Sequence, residues 1–249
     1  MLGEYYLNDL VKRKLFLADP WYQLIFRMLN SIDHDFRGGK ILEVGCGLGG
    51  FCIKMAKEGA NVIGLDVSSN ALRKAKNLAR GSQVKSRVDF VVGDAHFLPF
   101  KNQFNEVVVC SETLEHVSNY EKVFGELVRV LNKAGYLCVT VPNILSTLFF
   151  EEVVLLMKGQ PHYVRKTANV EEEHIFHIFK VKRLFQREDL EIIRIQSTDF
   201  LHLPPTIRKI SKIDYYLRVL SDRIESFLEA RRSVLRLFGA NIGVLAKKR

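Results

Sequence analysis

The sequence predicts an α/β fold built around a parallel sheet, and three observations carry that prediction. The stretch from Lys40 to Asp66 opens with the apolar run Ile41-Leu42-Glu43-Val44 and breaks into Gly45-Cys46-Gly47-Leu48-Gly49-Gly50. A helical pattern from Phe51 to Glu58 and a second apolar run, Asn61 to Leu65, then lead to Asp66. This is strand, glycine turn, helix, strand, acid: one βαβ unit. Further apolar runs alternate with helical patterns as far as Asn143. Finally, Glu43, Asp66 and Asp94 close three separate predicted strands at one end of the sheet, where ligands of open α/β folds bind.

The elements follow in order. Residues 1–37 carry aromatic residues among charges, with Leu10, Leu15, Leu24 and Met28 suggesting one or two amphipathic helices broken at Asp19-Pro20. They read either as a packing helix over the sheet edge or as a lid over a ligand. After Asp66, Ser68 caps a helix through Arg80, with Gly81 as its stop. A third strand runs Arg87 to Val92 and ends at Gly93-Asp94-Ala95. The fourth, Glu106 to Cys110, is apolar throughout, as a strand buried on both faces should be. A helix from Tyr120 to Leu131 turns through Lys133-Ala134-Gly135 into a fifth strand, Tyr136 to Val141. A short helix, Val181 to Gln186, precedes a sixth strand, Leu190 to Gln196. An insertion spans 200–238, and a last strand runs Ala240 to Ala246. The expected organisation is an N-terminal segment (1–37), a core (38–199), the insertion (200–238) and the closing strand (239–249).

Composition narrows the function. Of 249 residues, 47% are hydrophobic and 26% charged, ordinary for a globular domain large enough to bury a full core. The most apolar stretch, Ile144 to Met157, is interrupted by Glu151 and Glu152, so no membrane span is expected. Cys46, Cys52, Cys110 and Cys138 form no C-x-x-C pair and read as reduced core thiols, pointing to the cytoplasm. The net charge of +9 is uneven: from Phe200 onward eleven Lys/Arg face four Asp/Glu, +7 in the last fifth. An anionic partner or a solvated helix face would each account for it.

Glycines at a strand–helix turn let backbone N–H groups approach a ligand where a Cβ would collide. Gly45, Gly47 and Gly50 also satisfy the dinucleotide fingerprint, so a nicotinamide enzyme enters consideration. Against it, Glu43 precedes the turn, where a carboxylate would repel a pyrophosphate but not a cationic ligand. The run Glu43-Val44-Gly45-Cys46-Gly47-Leu48-Gly49 resembles the first motif of class I S-adenosylmethionine (SAM)-dependent methyltransferases. The phrase from Leu127 to Asn143 resembles the same family, including an arginine before the turn; Ala134 departs from it where a second glycine is usual, and is tolerated if its φ stays negative.

The resemblance implies a Rossmann-like seven-stranded sheet sandwiched by helices, with the last strand antiparallel, plus the N-terminal helices and the helical insertion. It implies SAM as cofactor, with Glu43 facing the methionine part, Asp66 taking the ribose hydroxyls and Asp94 meeting the adenine amino group. Gly45, Cys46, Gly47, Gly49, Val67, Ala95 and Ser111 complete the expected cofactor set. Methyl transfer is an in-line displacement that depends chiefly on positioning, with a base where the acceptor must lose a proton. Glu112, His116 and His174 are the leading candidates, with His177 and Tyr163 behind them. Glu112, Glu115 and His116 have the spacing to hold a hard cation, but the same letters occur in apparently metal-free relatives, and no metal is expected.

The expected function is methyl transfer to a small or lipid-like acceptor. A nucleic-acid methyltransferase, or a non-catalytic nucleotide-binding protein of this fold, are the alternatives. No RNA-binding module is recognisable and aromatic stacking platforms are sparse, so no nucleic-acid partner is expected. Ile207, Ile210, Ile213, Leu217, Leu220, Ile224, Phe227, Leu228, Leu235 and Phe238 form an apolar stripe on the basic insertion. It needs burial against the sheet, a second subunit or a membrane surface, so the state is monomer or homodimer, with peripheral membrane contact among the readings.

Overall fold

The computed structural model describes residues 20–143, 174, 176–198 and 239–249, with isolated helical positions at 220, 223, 224, 227 and 228. Expectations for the chain before Pro20, for Tyr163 and for most of the insertion lie outside the described residues. The elements are α1 (Pro20–Leu29), β1 (Lys40–Val44), α2 (Gly50–Lys57), β2 (Asn61–Asp66), α3 (Ser69–Gly81) and β3 (Val88–Val92). They continue as β4 (Asn105–Ser111), α4 (Tyr120–Val130), β5 (Leu131–Pro142), α5 (Ile178–Gln186), β6 (Leu190–Thr198) and β7 (Asn241–Lys248). Short 3₁₀ turns sit at Ala95–Phe97 and Leu114–His116.

The seven strands form one sheet in the order β3-β2-β1-β4-β5-β7-β6. β7 runs antiparallel to both neighbours, while the pairs from β3 to β5 are parallel. The order reverses between β1 and β4, so the carboxyl ends of β1, β2 and β4 meet at a crevice. Strand alternation sends one set of side chains to each helix layer. Leu42, Val44, Val108 and Cys110 pack with α4 and α5, whereas Ile41, Val107 and Val109 pack with α1 and α2.

The expected packing role of the N-terminal segment is realised in α1, which lies over β5, β7 and the edge strand β6. Pro20 opens the helix, where its missing N–H costs nothing. Leu24, Ile25, Met28 and Leu29 are buried in the same cluster as Ile41, Val109, Cys138 and Leu245, which span β1, β4, β5 and β7. Each such side chain contributes about 1.5–3 kcal/mol by leaving water.

Two local expectations are corrected. Ser68 caps α3 as expected, its hydroxyl accepting the Ala71 N–H at 3.2 Å, but Gly81 is the last helical residue rather than the stop. The Ser82 N–H still bonds the Leu78 and Ala79 carbonyls, and Gln83, at φ 61°, makes the left-handed exit. The second correction is Ala134, whose φ is 58° rather than negative. The register moves from Asn105↔Leu131 to Val107↔Tyr136, two steps on β4 against five on β5, and the surplus chain must bulge out. Gly135 fills the crowded point, where a Cβ would lie 2.9 Å from the Glu106 carbonyl oxygen. The left-handed conformation therefore falls on exposed Ala134.

A left-handed non-glycine residue costs about 1–2 kcal/mol, and glycine's greater unfolded-state freedom returns part of that. Ala134→Gly is expected to raise stability by about 0.5–1 kcal/mol, read as a higher urea midpoint at unchanged slope. A lowered midpoint would show that this position carries no left-handed strain.

Candidate active site

The glycine turn is tied to β2 by backbone and side chain together. The Gly45 and Cys46 N–H groups donate to the Leu65 carbonyl at 2.8 and 3.0 Å. The Gly47 N–H donates to Asp66 Oδ2 at 2.8 Å, and the Ser68 N–H to Oδ1 at the same distance. Gly45, Gly47 and Gly49 all have positive φ, and beyond Gly47 no atom stands within 4 Å of where a Cβ would be. At Gly45 a Cβ would instead run into the Thr113 side chain, 2.1 Å from its hydroxyl, so the loop after β4 abuts the turn. Val67, next to Asp66, is 77% exposed.

Glu43 is placed differently from a ligand-facing acid. It shares a strand face with Ile41 and so enters the layer of α1 and α2. There it is fully buried, with the Tyr22 hydroxyl donating to Oε1 at 3.4 Å and the Cys52 thiol to Oε2 at 2.9 Å. Burial pushes its carboxyl up to about 8, against the pull of the Cys52 and Tyr22 donors. The charge argument against a pyrophosphate therefore does not hold at this residue, which presents neither surface nor a carboxylate of ordinary acidity to a ligand. Cys46 and Cys52 are buried beside it, and all four cysteines are buried free thiols. Ser111 is also buried, its hydroxyl 2.8 Å from that of Thr140.

Asp94 follows β3 and caps the 3₁₀ turn that begins at Ala95. Its Oδ1 accepts the His96 backbone N–H at 2.9 Å and the His96 ring at 2.6 Å. These bonds hold the carboxyl below its usual range, so it is ionised at neutral pH.

The segment after β4 divides its candidates. Glu112 sits at φ 46°, its N–H bonded to the Thr140 carbonyl at 3.0 Å. Its Oε2 accepts from the Asn241 amide at 2.8 Å, while the enclosed Oε1 finds no hydrogen-bond partner among the described residues. Burial pushes this carboxyl up to about 7, with the Thr140 and Asn241 side chains pulling the other way. Glu115 is buried with Oε1 3.7 Å from His116 Nε2, and His116 is half exposed. His174 is brought to the same loop: its N–H donates to the Glu115 carbonyl at 2.8 Å, its ring Nε2 to the Ser118 carbonyl at 3.3 Å. His177, by contrast, caps α5, its Nδ1 accepting the Lys180 N–H at 3.3 Å. Among the described residues no three His, Cys, Asp or Glu side chains converge as a metal-ligand set.

Sequence reasoning missed Asn241 and His96, which reach Glu112 and the Ser118–Asn119 loop from far along the chain. It also left the Arg129 clamp unread. That guanidinium holds Glu126 and the carbonyls of Leu98 and Phe100 at 2.6–2.9 Å, fastening the loop before β4 to α4.

Comparison with known proteins bears on the family and the fold. The model of a methyltransferase domain family matches residues 35–214. Norajmaline N-methyltransferase of Rauvolfia serpentina is 36% identical over 106 residues, covering 42% of this chain and 36% of that protein. Sterol 24-C-methyltransferase of Aspergillus fumigatus is 31% identical over 122 residues, covering 47% and 32%. The chain thus matches only about a third of the length of these curated relatives. A solved SAM-dependent methyltransferase of Thermotoga maritima shares the fold at TM-score 0.63 and 18% identity, covering 99% of this chain and 98% of that one. The chain belongs to the methyltransferase domain family, and S-adenosylmethionine is the cofactor of that class. No helix among the described residues is long and apolar enough to cross a membrane.

The raised Glu112 carboxyl sets a pH dependence. The folded state keeps this proton up to about pH 7, whereas an unfolded glutamate releases it near 4.5, so wild-type stability falls as pH rises through that window. Glu112→Gln removes the titration and keeps an acceptor for Asn241. The variant is expected to match wild type at pH 4 and to exceed it by about 1–3 kcal/mol at pH 8. Parallel urea titrations measure this; equal gaps at both pH values would place Glu112 in water.

Proposed function

We infer that the protein transfers the methyl group of S-adenosylmethionine to an oxygen, nitrogen or carbon atom of a small or lipid-like molecule. The observation that carries this reading is the Gly47–Asp66 clamp, a turn held open by a carboxylate with unfilled space beyond it. Its parts suit the cofactor. Each Asp66 oxygen holds one backbone N–H and keeps a second lone pair for a ribose hydroxyl. Val67 offers a bare apolar surface to a flat base, and Asp94 is ionised with its side chain 58% exposed. Gly45, Cys46 and Gly49 shape the turn, while Ala95 and Ser111 border it. Glu43 supports the turn from beneath, through Cys52 and Tyr22.

When bound, the cofactor supplies an electrophilic methyl group on a sulfonium. The chain's own work is to orient the acceptor, exclude water and take a proton. Glu112 is the base favoured here, because its carboxyl is set near neutrality on the loop that leaves β4. His116 and His174, on the neighbouring loop, line the acceptor side. The small-molecule acceptor is supported by norajmaline and sterol, the substrates in the names of the relatives. The basic insertion is read as an acceptor-side or membrane-facing cover, on which Leu220 and Phe227 are 47% and 54% exposed.

Calorimetric titration with SAM, its demethylated product S-adenosylhomocysteine and NAD tests the cofactor. Binding of the first two and not of NAD is expected, with Asp66→Ala weakening SAM by about 30-fold or more. Unchanged affinity in a folded Asp66→Ala variant would remove the site. Incubating metabolite extracts with isotopically labelled SAM then identifies the acceptor.

A further inference from the structure

His96 was assigned no role by its sequence position, yet it touches both sides of the crevice. Its ring lies between the acid that ends β3 and the loop that follows β4, with only 16% of the side chain exposed. Nδ1 is 2.6 Å from Asp94 Oδ1, and Nε2 is 3.3 Å from both the Asn119 backbone nitrogen and the Ser118 hydroxyl. An amide N–H can only donate, so Nε2 must carry the lone pair and Nδ1 the proton. Both contacts agree on one neutral tautomer, in which Nδ1–H donates to Asp94.

Two consequences follow. The His96 backbone N–H and ring N–H both spend themselves on Oδ1 of Asp94, leaving Oδ2 outside both bonds on a side chain that is 58% exposed. Asn119 is the N-cap of α4, and the Ser118 carbonyl accepts from His174, whose own N–H holds the Glu115 carbonyl. A continuous chain of hydrogen bonds therefore runs from Asp94 through His96 to the loop carrying Glu115, His116 and Ser118.

We propose that His96 is a positioning residue that couples cofactor binding at Asp94 to the order of the acceptor-side loop, residues 113–120. The proposal rests on the reading above that Asp94 receives the adenine. With the base seated, Asp94 is fixed, His96 is fixed by Asp94, and the start of α4 is fixed by His96. The acceptor wall is thereby held more firmly on a loaded cofactor site, a coupling between two sites through one bridging side chain. A second contact, Lys122 Nζ lying 3.3 Å from the centre of the Phe97 ring, joins the same two segments.

The test uses the full chain with S-adenosylhomocysteine as probe. Nitrogen NMR of the side chain should report the Nδ1–H tautomer of His96 in the free protein. Amide hydrogen exchange should show residues 113–120 gaining protection when the probe binds. His96→Ala should lower probe affinity about fivefold or more and abolish that gain. His96→Asn restores a donor toward Asp94 but cannot reach Asn119, so it should recover affinity without recovering the loop's protection. Wild-type affinity and protection in His96→Ala, or an Nε2–H tautomer, would overturn the coupling while leaving the cofactor reading intact. Unchanged probe affinity in Asp94→Ala would instead remove the adenine reading of Asp94, and the coupling with it.

Discussion

The carboxylate of Asp66 is the constraint on which the crevice depends. A turn with three left-handed glycines exposes backbone donors that must be paired or hydrated. Two of them reach the Leu65 carbonyl, and the third, from Gly47, reaches Asp66. Because the other oxygen of Asp66 takes the Ser68 N–H at the start of α3, one side chain sets the turn, the end of β2 and the next helix together. The turn is thus already ordered by its own bonds, which would leave little ordering cost to the proposed cofactor.

Around that cradle two buried carboxyls are used in opposite ways. Glu43 faces the α1–α2 layer with donors on both oxygens, and its proton and packing make it part of the core. Glu112 has one oxygen held and one left without a partner among the described residues, on a backbone strained to φ 46°. Strain and an unpaired buried acceptor each cost free energy, and such costs concentrate where chemistry is done. The sheet arranges this through β7, whose antiparallel course brings Asn241 beside the end of β5 and under Glu112.

The region around the proposed acceptor-side loop is built from segments that reach across the sheet rather than from any one element. Tyr120, at the start of α4, packs its ring edge to face against His174 and Phe176, at 4.8 and 5.2 Å. The chain entering α5 is thus seated on the loop that leaves β4. One fold can carry many different loops, so the sheet alone does not fix what these segments do.

The sequence by itself determined the βαβ unit, the position of every described strand and the helix start at Ser68. Those features rest on local periodicity and capping, which neighbours in sequence settle among themselves. It also placed the acids that follow β1, β2 and β3 at one end of the sheet, since parallel strands carry their loops to one end. What it could not decide were contacts made by strand register and helix layering. Glu43 and Ile41 visibly share a face, but only the seating of α1 and α2 showed that this face is core. Ala134 became left-handed because β4 and β5 slip register, a relation no local window contains. Glu112 meets Asn241 from 129 positions away and His96 meets Asn119 from 23, so their chemistry was the tertiary structure's to assign.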